Sequence, residues 1–434
     1  MIEHEYDVII IGGRPAGASL AARLGKQGLK ILLLERATFP SLPAASSPIV
    51  YSPSLQLLDE IGADETLYAS NTPRIHTIYA DNSQFQLEIP IPQAHGRDYA
   101  YALDRARFDA ALWDTACRYP SVEGRQGFSV TDLLWDEDRV VGVVGHGAGG
   151  SAEHLRASLV VGADGRFSLI ARKVDAPERD VHTENPTSLL YAYWKGVKPY
   201  SETGEPVAVA YEGGPGYGLL VMDSADATTA VTMEGQADLL DPPAGQTVNF
   251  YLDLLRTNPK VAARLEGAEM LTKVHGMRRI GNCYRQPGGA GWALVGDAYH
   301  QHDPLDGQGI FNALFTAKSL AWAIRYWKRG QMTWSEALEW YDETSRSKTY
   351  GMYRQTLNNV RANLYDSAQM PGWALTGLRW VMEDPTTQEL IGKLLTRQIP
   401  PEVMQLATPA VALGAIVRGP LRDFRKRLNG WVAS

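Results

Sequence analysis

The sequence has almost no cysteine. Cys117 and Cys283 are the only two in 434 residues, which excludes a secreted fold built on a disulfide framework. Neither lies in a CxxC or CxxxxC pair, so dithiol redox chemistry and cysteine-based zinc sites are excluded too, and no metal site is expected. Basic charge is not in excess: Lys+Arg 42 against Asp+Glu 49 gives a net charge of −7. A mildly acidic chain lacks the basic face that a nucleic-acid partner requires. Long apolar runs are missing as well. The longest near the C-terminus, Leu406 to Val417, is interrupted by Pro409 and falls short of the roughly 20 residues that span a bilayer. Met1 to Asp7 is acidic and leads directly into a strand-like run, unlike a signal peptide. The expected placement is cytoplasmic. Gly 41 and Pro 25 stay below the level of low-complexity chains.

What remains is an ordinary globular composition, 44% hydrophobic and 21% charged. At roughly 150 residues per domain the length suits about two to three domains. Val8-Ile9-Ile10-Ile11 is a continuous β-branched run, the mark of a strand buried on both faces. It stops at Gly12-Gly13-Arg14-Pro15-Ala16-Gly17, a small-residue helix follows to Gly28, and Lys30 to Glu35 forms a second buried strand. This is a βαβ unit with a glycine turn at its first corner. A helix N-terminus there offers unpaired N–H groups and partial positive charge to a diphosphate. Gly12 permits the tight turn, and Ala16 and Gly17 permit close helix–strand packing. Glu35 ends the second strand, where a carboxylate bonds an adenosine ribose. The middle glycine of G-x-G-x-x-G is replaced by Arg14. Its side chain would either crowd the phosphates or turn outward and add positive charge, and the sequence leaves both open.

Two further corners follow. Ser158 to Val161 is a buried strand that ends in Gly162-Ala163-Asp164-Gly165-Arg166. Alone it reads equally as a simple Asp-Gly turn. Trp292 to Val295 is a strand that ends in Gly296-Asp297. The loop Asp303-Pro304-Leu305-Asp306-Gly307-Gln308-Gly309-Ile310 then opens another helix.

These three segments, in this order over about the first 330 residues, resemble the class A flavoprotein monooxygenases of the p-hydroxybenzoate hydroxylase type. The resemblance implies one tightly held FAD. Gly12, Arg14, Pro15, Ala16 and Gly17 would line its diphosphate. Glu35 would hold the ribose, with Arg36 and Val130 beside the adenine. Arg105 would approach the cofactor, with Arg107 as the alternative. Asp164 and Gly165 match the motif tied to both FAD and NAD(P)H. Gly296 and Asp297 would contact the ribityl region. Pro304, Gly307, Gln308, Gly309 and Ile310 would lie beside the isoalloxazine ring. The implied fold is α/β: a βαβ-based FAD-binding domain with an inserted antiparallel-sheet substrate domain and a helical C-terminal region. The expected division is 1–75, 98–183 and 272–330 for FAD, 76–97 and 184–271 for substrate, and 331–434 for the helices.

The implied activity uses NAD(P)H and O2, through a flavin C4a-hydroperoxide, to hydroxylate or epoxidise an aromatic or otherwise electron-rich small molecule. The family's extra arginine after Glu35-Arg36 is missing from Ser41 to Pro48. A flavin-dependent halogenase and a geranylgeranyl reductase-type enzyme acting on an isoprenoid are the alternatives. Asp303-Pro304-Leu305 is also similar to a halogenase segment, but the halogenase Trp-x-Trp-x-Ile-Pro segment is absent and no lysine is marked out. A flavin-binding sensor or scaffold would leave the inserted sheet without a substrate. His300 and His302 are the candidate bases nearest the flavin, set against an ordinary role as loop histidines bonded to backbone. His275 is a strand histidine with no evident partner. Tyr193, Tyr211, Tyr217 and Met222 are the candidate substrate residues, though an alternating strand makes each equally an ordinary packed residue. Residues Trp334 to Ala368 suggest one long helix. The tryptophans 322, 327, 340, 373 and 380 read as packing anchors. Arg418, Arg422, Arg425, Lys426 and Arg427 cluster near the end, as a solvated basic helix or a contact with a membrane surface or partner.

Overall fold

The computed structural model describes residues 5–43, 48–81, 86–366 and 371–432, with the side chains of 406 and 426–432 left aside. Part of the Ser41–Pro48 loop, the expected helix end at Ala368, and the side chains of Lys426 and Arg427 lie outside the described residues. The fold is α/β, with two large sheets and a helical C-terminal region.

The first sheet grows from the β-branched runs. Its parallel strands are ordered Trp292–Leu294, Glu153–Gly162, Tyr6–Ile11, Ile31–Glu35 and Val122–Gln126. Val8, Ile9, Ile10, Leu32 and Leu33 are fully buried, as runs covered on both faces require. Helix Pro15–Gly25 packs between Arg105–Cys117 and Gly309–Lys328, and all share one core with the strands. Because the strands are parallel, their carboxyl ends line one edge. That edge is where ligands of open α/β sheets bind.

The second sheet runs His300–Gln301, His275–Arg285, Glu178–Lys195, Thr228–Gln236, Tyr217–Asp223, Ala208–Gly214, Thr77–Asp81 and Gln86–Pro90. It is antiparallel except where Ala208–Gly214 lies parallel to Thr77–Asp81. Strands His275–Arg285 and His300–Gln301 fall within the 272–330 stretch expected in the FAD-binding domain, yet they pair into this sheet. The long strand Glu178–Lys195 has one side taken by Thr228–Gln236, and its other side would otherwise present unpaired N–H and C=O groups.

Alternation divides this sheet into two faces. On the inner face, Leu189, Tyr191, Tyr193, Met222 and Ala230 share a core with Ile49, Tyr51, Ala100 and Ala102. On the outer face, Leu190, Trp194, Val209, Tyr211, Tyr217, Leu219 and Val231 share another with Tyr251, Leu255 and Val261 of helices Thr247–Arg256 and Pro259–Leu265.

The C-terminal region opens with helix Trp334–Val360, begun by a Thr333/Glu336 capping box and closed by a π-helical turn, Arg361–Tyr365. Helices Gly372–Met382, Pro385–Leu395 and Pro401–Val432 follow. Met382, Ile391 and Leu395 pack against the inner-face core, so these helices close over that side of the sheet. Trp327 meets Trp334 at 4.8 Å between ring centroids, and Trp380 Nε1 donates to Asp423 at 2.9 Å. Trp373 anchors nothing: it is 80% exposed. Among the described residues no helix is long and apolar enough to cross a membrane.

Candidate functional site

Three strand ends meet at the edge of the first sheet. Gly12 has φ +104°, and a Cβ there would lie 2.3 Å from Ala163 O and 3.1 Å from Asp164 N. A Cβ on Gly17 would lie 1.8 Å from Gly12 O, and one on Gly296 would lie 2.7 Å from Ala16 Cβ. The backbone therefore closes into a cradle that tolerates no side chain at these points. The helix above it starts at Pro15, with Arg14 in extended conformation and no side-chain cap. The N–H groups of Ala16 and Gly17 meet no acceptor among the described residues, and a diphosphate satisfies such donors. Glu35, 5% exposed, accepts from Gly13 N at 2.8 Å and Ala37 N at 2.9 Å, which holds the turn against the end of the second strand. Arg36 is exposed and Val130 half-buried.

The side chain of Arg14 turns to the buried Asp109 and to Ser41. It meets Asp109 Oδ2 at 2.5 Å and Ser41 O and Oγ at 3.2 and 3.1 Å. Arg105 holds the same carboxylate through Nε and Nη2 at 3.0–3.2 Å. Asp109 is fully buried and Arg105 is 7% exposed. Asp109 thus ties two guanidinium groups, Arg14 and Arg105, together. Arg107, the alternative to Arg105, turns away to Asp226 and Ser70 O. Asp109 escaped the sequence reading, although its i, i+4 spacing from Arg105 was visible.

Asp164 and Asp297 flank the cradle in different ways. Asp164 accepts from Ser168 Oγ at 2.6 Å and from the N–H groups of Leu169 and Ile170 at 2.7 and 3.2 Å, so it starts the short helix Leu169–Lys173. Burial raises its carboxyl, and these bonds pull it back down. Gly165 has φ +79° with nothing near its Cβ position, so its need is conformational. Asp297 lies 3.5 Å from Arg166 Nε. Burial raises its carboxyl too, opposed by Arg166, Arg105 and Arg285.

The glycine loop is held from both sides. Gly307 is left-handed, φ +64°, after a 3₁₀ turn at Pro304–Asp306. A Cβ on Gly309 would meet open space, while Ile310 is 6% exposed. Gln308 Oε1 accepts from Arg397 Nε at 2.9 Å and Nη2 at 2.6 Å. Arg397 follows helix Pro385–Leu395 and covers the Phe311 ring at 3.7 Å. The C-terminal region thus clamps the loop expected beside the flavin, a contact no sequence signal announced.

The histidines behind this loop are buried and neutral. His300 stacks on Tyr284 with centroids 3.9 Å apart, and neither ring nitrogen has a hydrogen-bond partner among the described residues. Burial pushes it far down. His302 Nε2 meets Thr356 Oγ1 at 2.9 Å, and burial pushes it down to about 3. Both therefore stay unprotonated at neutral pH and are weaker bases than a free imidazole. A histidine whose folded pKa is depressed stabilises the fold above its unfolded value of about 6.5, and this is lost as pH falls towards the folded value. His302→Gln keeps a partner for Thr356 and removes the titration. Between pH 7 and pH 5 the wild-type protein is therefore expected to lose about 2 kcal/mol more stability than the variant, read by urea unfolding at both pH values. His275 stacks on Tyr191 at 5.3 Å.

The four candidate substrate residues divide between the faces. Tyr193 and Met222 point inward, 5% and 0% exposed, and Tyr193 Oη donates to Leu103 O at 3.2 Å. Tyr211 and Tyr217 lie on the outer face under the two helices, where Arg264 donates to Tyr211 Oη at 3.1 Å and Tyr217 Oη donates to Leu254 O at 3.3 Å. They do not join the first pair.

Glu234 was also missed. It is 8% exposed, and its Oε1 has no hydrogen-bond partner among the described residues. It lies against Asp303, the residue before Pro304.

The chain is 27% identical over 357 residues to a digeranylgeranylglycerophospholipid reductase of Methanosphaerula palustris, covering 80% of this chain and 83% of the relative. It is 24% identical over 327 residues to a 1H-pyrrole-2-carbonyl-(peptidyl-carrier protein) brominase of Pseudoalteromonas luteoviolacea, covering 74% and 77%. A solved flavoprotein/dehydrogenase of Cytophaga hutchinsonii shares the fold at TM-score 0.78 and 18% identity, covering 94% of this chain and 99% of that one. The cradle, the uncapped helix and the clamped glycine loop all fit the cofactor of one family, described as FAD binding domain, which matches residues 5–356: this chain belongs to that family of FAD-dependent oxidoreductases.

Proposed function

We propose that this protein uses NAD(P)H to reduce FAD and then saturates a carbon–carbon double bond in an apolar small molecule held against the inner face of the second sheet. FAD supplies hydride when bound, and the protein supplies position, dryness and protons. The observation that carries this reading is the chemistry of that face. Leu189 and Met222 belong to its core, with Leu220, Met277, Met382, Ile391 and Leu395 packed against them. No histidine base poised near neutral pH emerges, since burial holds His300 and His302 far below the ordinary imidazole range. A phenol hydroxylase would gain from such a base. The described lysines are exposed or, for Lys318 and Lys393, ion-paired with Glu60 and Glu389, which gives a hypohalous acid no buried amine to meet. Similarity to the reductase of Methanosphaerula palustris supports the same choice.

Oxygen insertion into the same electron-rich double bond is the second reading. It needs no base, and a closed, water-poor face suits it. The deciding experiment incubates the FAD-loaded protein with NADPH and geranylgeraniol, with and without O2. Saturated product without O2 supports the first reading. O2-dependent hydroxylated or epoxidised product supports the second.

The proposal includes a cytoplasmic protein that touches membrane surfaces. On helix Pro401–Val432, Leu413, Val417, Leu421 and Phe424 are 61–67% exposed and share one face by their spacing. Arg418 and Arg422 turn back to Asp384 at 2.9–3.0 Å, leaving Arg425 exposed beside the stripe. Sedimentation with phosphatidylglycerol vesicles is expected for the wild-type protein and is expected to be lost in Leu421→Glu/Phe424→Glu. Equal sedimentation of both would refute the contact.

A further inference from the structure

We propose that Glu234 is the proton donor of this site, a role that rests on the reductive reading above. Strand pairing places it. Glu234 lies opposite Leu189 on one side and Gly218 on the other, and alternation turns it to the same inner face as Ala230 and Thr232. Gly218 contributes no side chain there, and Asp303 is the group against Glu234. Thr232 Oγ1, two residues away, is buried and likewise has no hydrogen-bond partner among the described residues. Two buried polar atoms without hydrogen-bond partners among the described residues thus share this face of the sheet. Unpaired buried polar atoms are costly and call for a ligand, a water or a reaction to explain them.

The loop determines where the proton sits. Asp303, 1% exposed, already accepts from Thr187 Oγ1 at 2.6 Å and Leu305 N at 3.1 Å. Asp306 accepts from Thr356 Oγ1 at 2.7 Å and from Asn359 Nδ2 at 3.1 and 3.2 Å. Glu234 Oε1 has no such donor among the described residues. Two like charges in contact in a dry site cannot both persist, so Glu234 carries the proton and hydrogen-bonds to Asp303. Burial is the main cause of its strongly raised carboxyl. Asp303 and Asp306 add to it, and Arg166 opposes.

In the step, the π bond of the alkene breaks. One carbon receives the hydride that reduced FAD supplies, with FAD returned to its oxidised state. The adjacent carbon receives the proton of Glu234. The carboxylate left beside Asp303 is unfavourable, so it recovers a proton from water before the next turnover. The electrons come from NAD(P)H.

The test uses the FAD-loaded protein and Glu234→Gln, an isosteric change, with Glu234→Asp beside it. The C=O stretch of a protonated carboxyl is expected in infrared spectra at pH 7 and is expected to disappear in Glu234→Gln while FAD remains bound. Anaerobic saturation of geranylgeraniol is expected to fall more than 100-fold in Glu234→Gln and to recover in part in Glu234→Asp. Absence of the infrared band, or retained saturation in Glu234→Gln, overturns the donor role alone. A wild-type protein that saturates no alkene overturns the reductive reading and the donor role with it, even if the band is present.

Discussion

Gly17→Val is expected to abolish FAD binding while leaving a folded chain. A Cβ at this position would sit 1.8 Å from Gly12 O, a backbone atom with no freedom to retreat. Gly12 is itself pinned, since its N–H donates to Leu34 O at 2.8 Å and its Cβ direction is closed by Ala163 O at 2.3 Å. The helix start must therefore move outward, which takes its free N–H groups away from the diphosphate. Loss of that anion site is expected to weaken FAD binding more than 100-fold, about 3 kcal/mol. Equilibrium titration of flavin fluorescence measures it. Wild-type affinity in a well-folded Gly17→Val protein would mean that the diphosphate lies elsewhere.

Asp109→Ala is expected to cost about 3–5 kcal/mol of stability, the usual penalty for removing one partner of a buried ion pair. Asp109 serves two cations, Arg14 and Arg105, and Arg105 is almost wholly buried with it. Removing the carboxylate leaves two facing guanidinium groups against each other at the base of the cradle. Asp109→Asn keeps the shape and part of the hydrogen bonding, so its loss is expected to be smaller. Urea unfolding of the three proteins gives the order. Equal stability of wild type and Asp109→Ala would show that the cluster contributes nothing.

The two predictions concern parts of the site with different legibility. The βαβ corner could be read because its cause is local. A β-branched run must be buried on both faces, and a glycine turn must follow if a helix is to start against it. Gly12, Gly17 and Gly296 sit where the backbone closes too tightly for a side chain. Arg14 shows where local reasoning stops. Its direction is decided by Asp109, ninety-five residues away along the chain, and by Ser41.

The second sheet was legible as strands but not as faces. Alternation makes Tyr211 and Tyr217 candidates, yet which face looks towards the flavin depends on what covers the other one. Helices Thr247–Arg256 and Pro259–Leu265 cover it, and both lie inside a stretch that reads as strands. Glu234 was hidden for the converse reason. A single acid in a strand reads as an outward polar residue, and only the register with Leu189 turns it inward. Arg397 lies far from the motifs in sequence and reaches Gln308 only through tertiary packing.

The central claim is that the corners at Gly12, Asp164 and Asp297 grip one FAD along its length. The direct measurement is a crystal structure of the protein grown with FAD. The account predicts one molecule per chain, with its diphosphate at the N-terminus of helix Pro15–Gly25, its ribityl chain by Asp297 and its ring against the Pro304–Ile310 loop. A diphosphate bound away from Gly12–Gly17, or a folded protein that takes up no FAD, would contradict it.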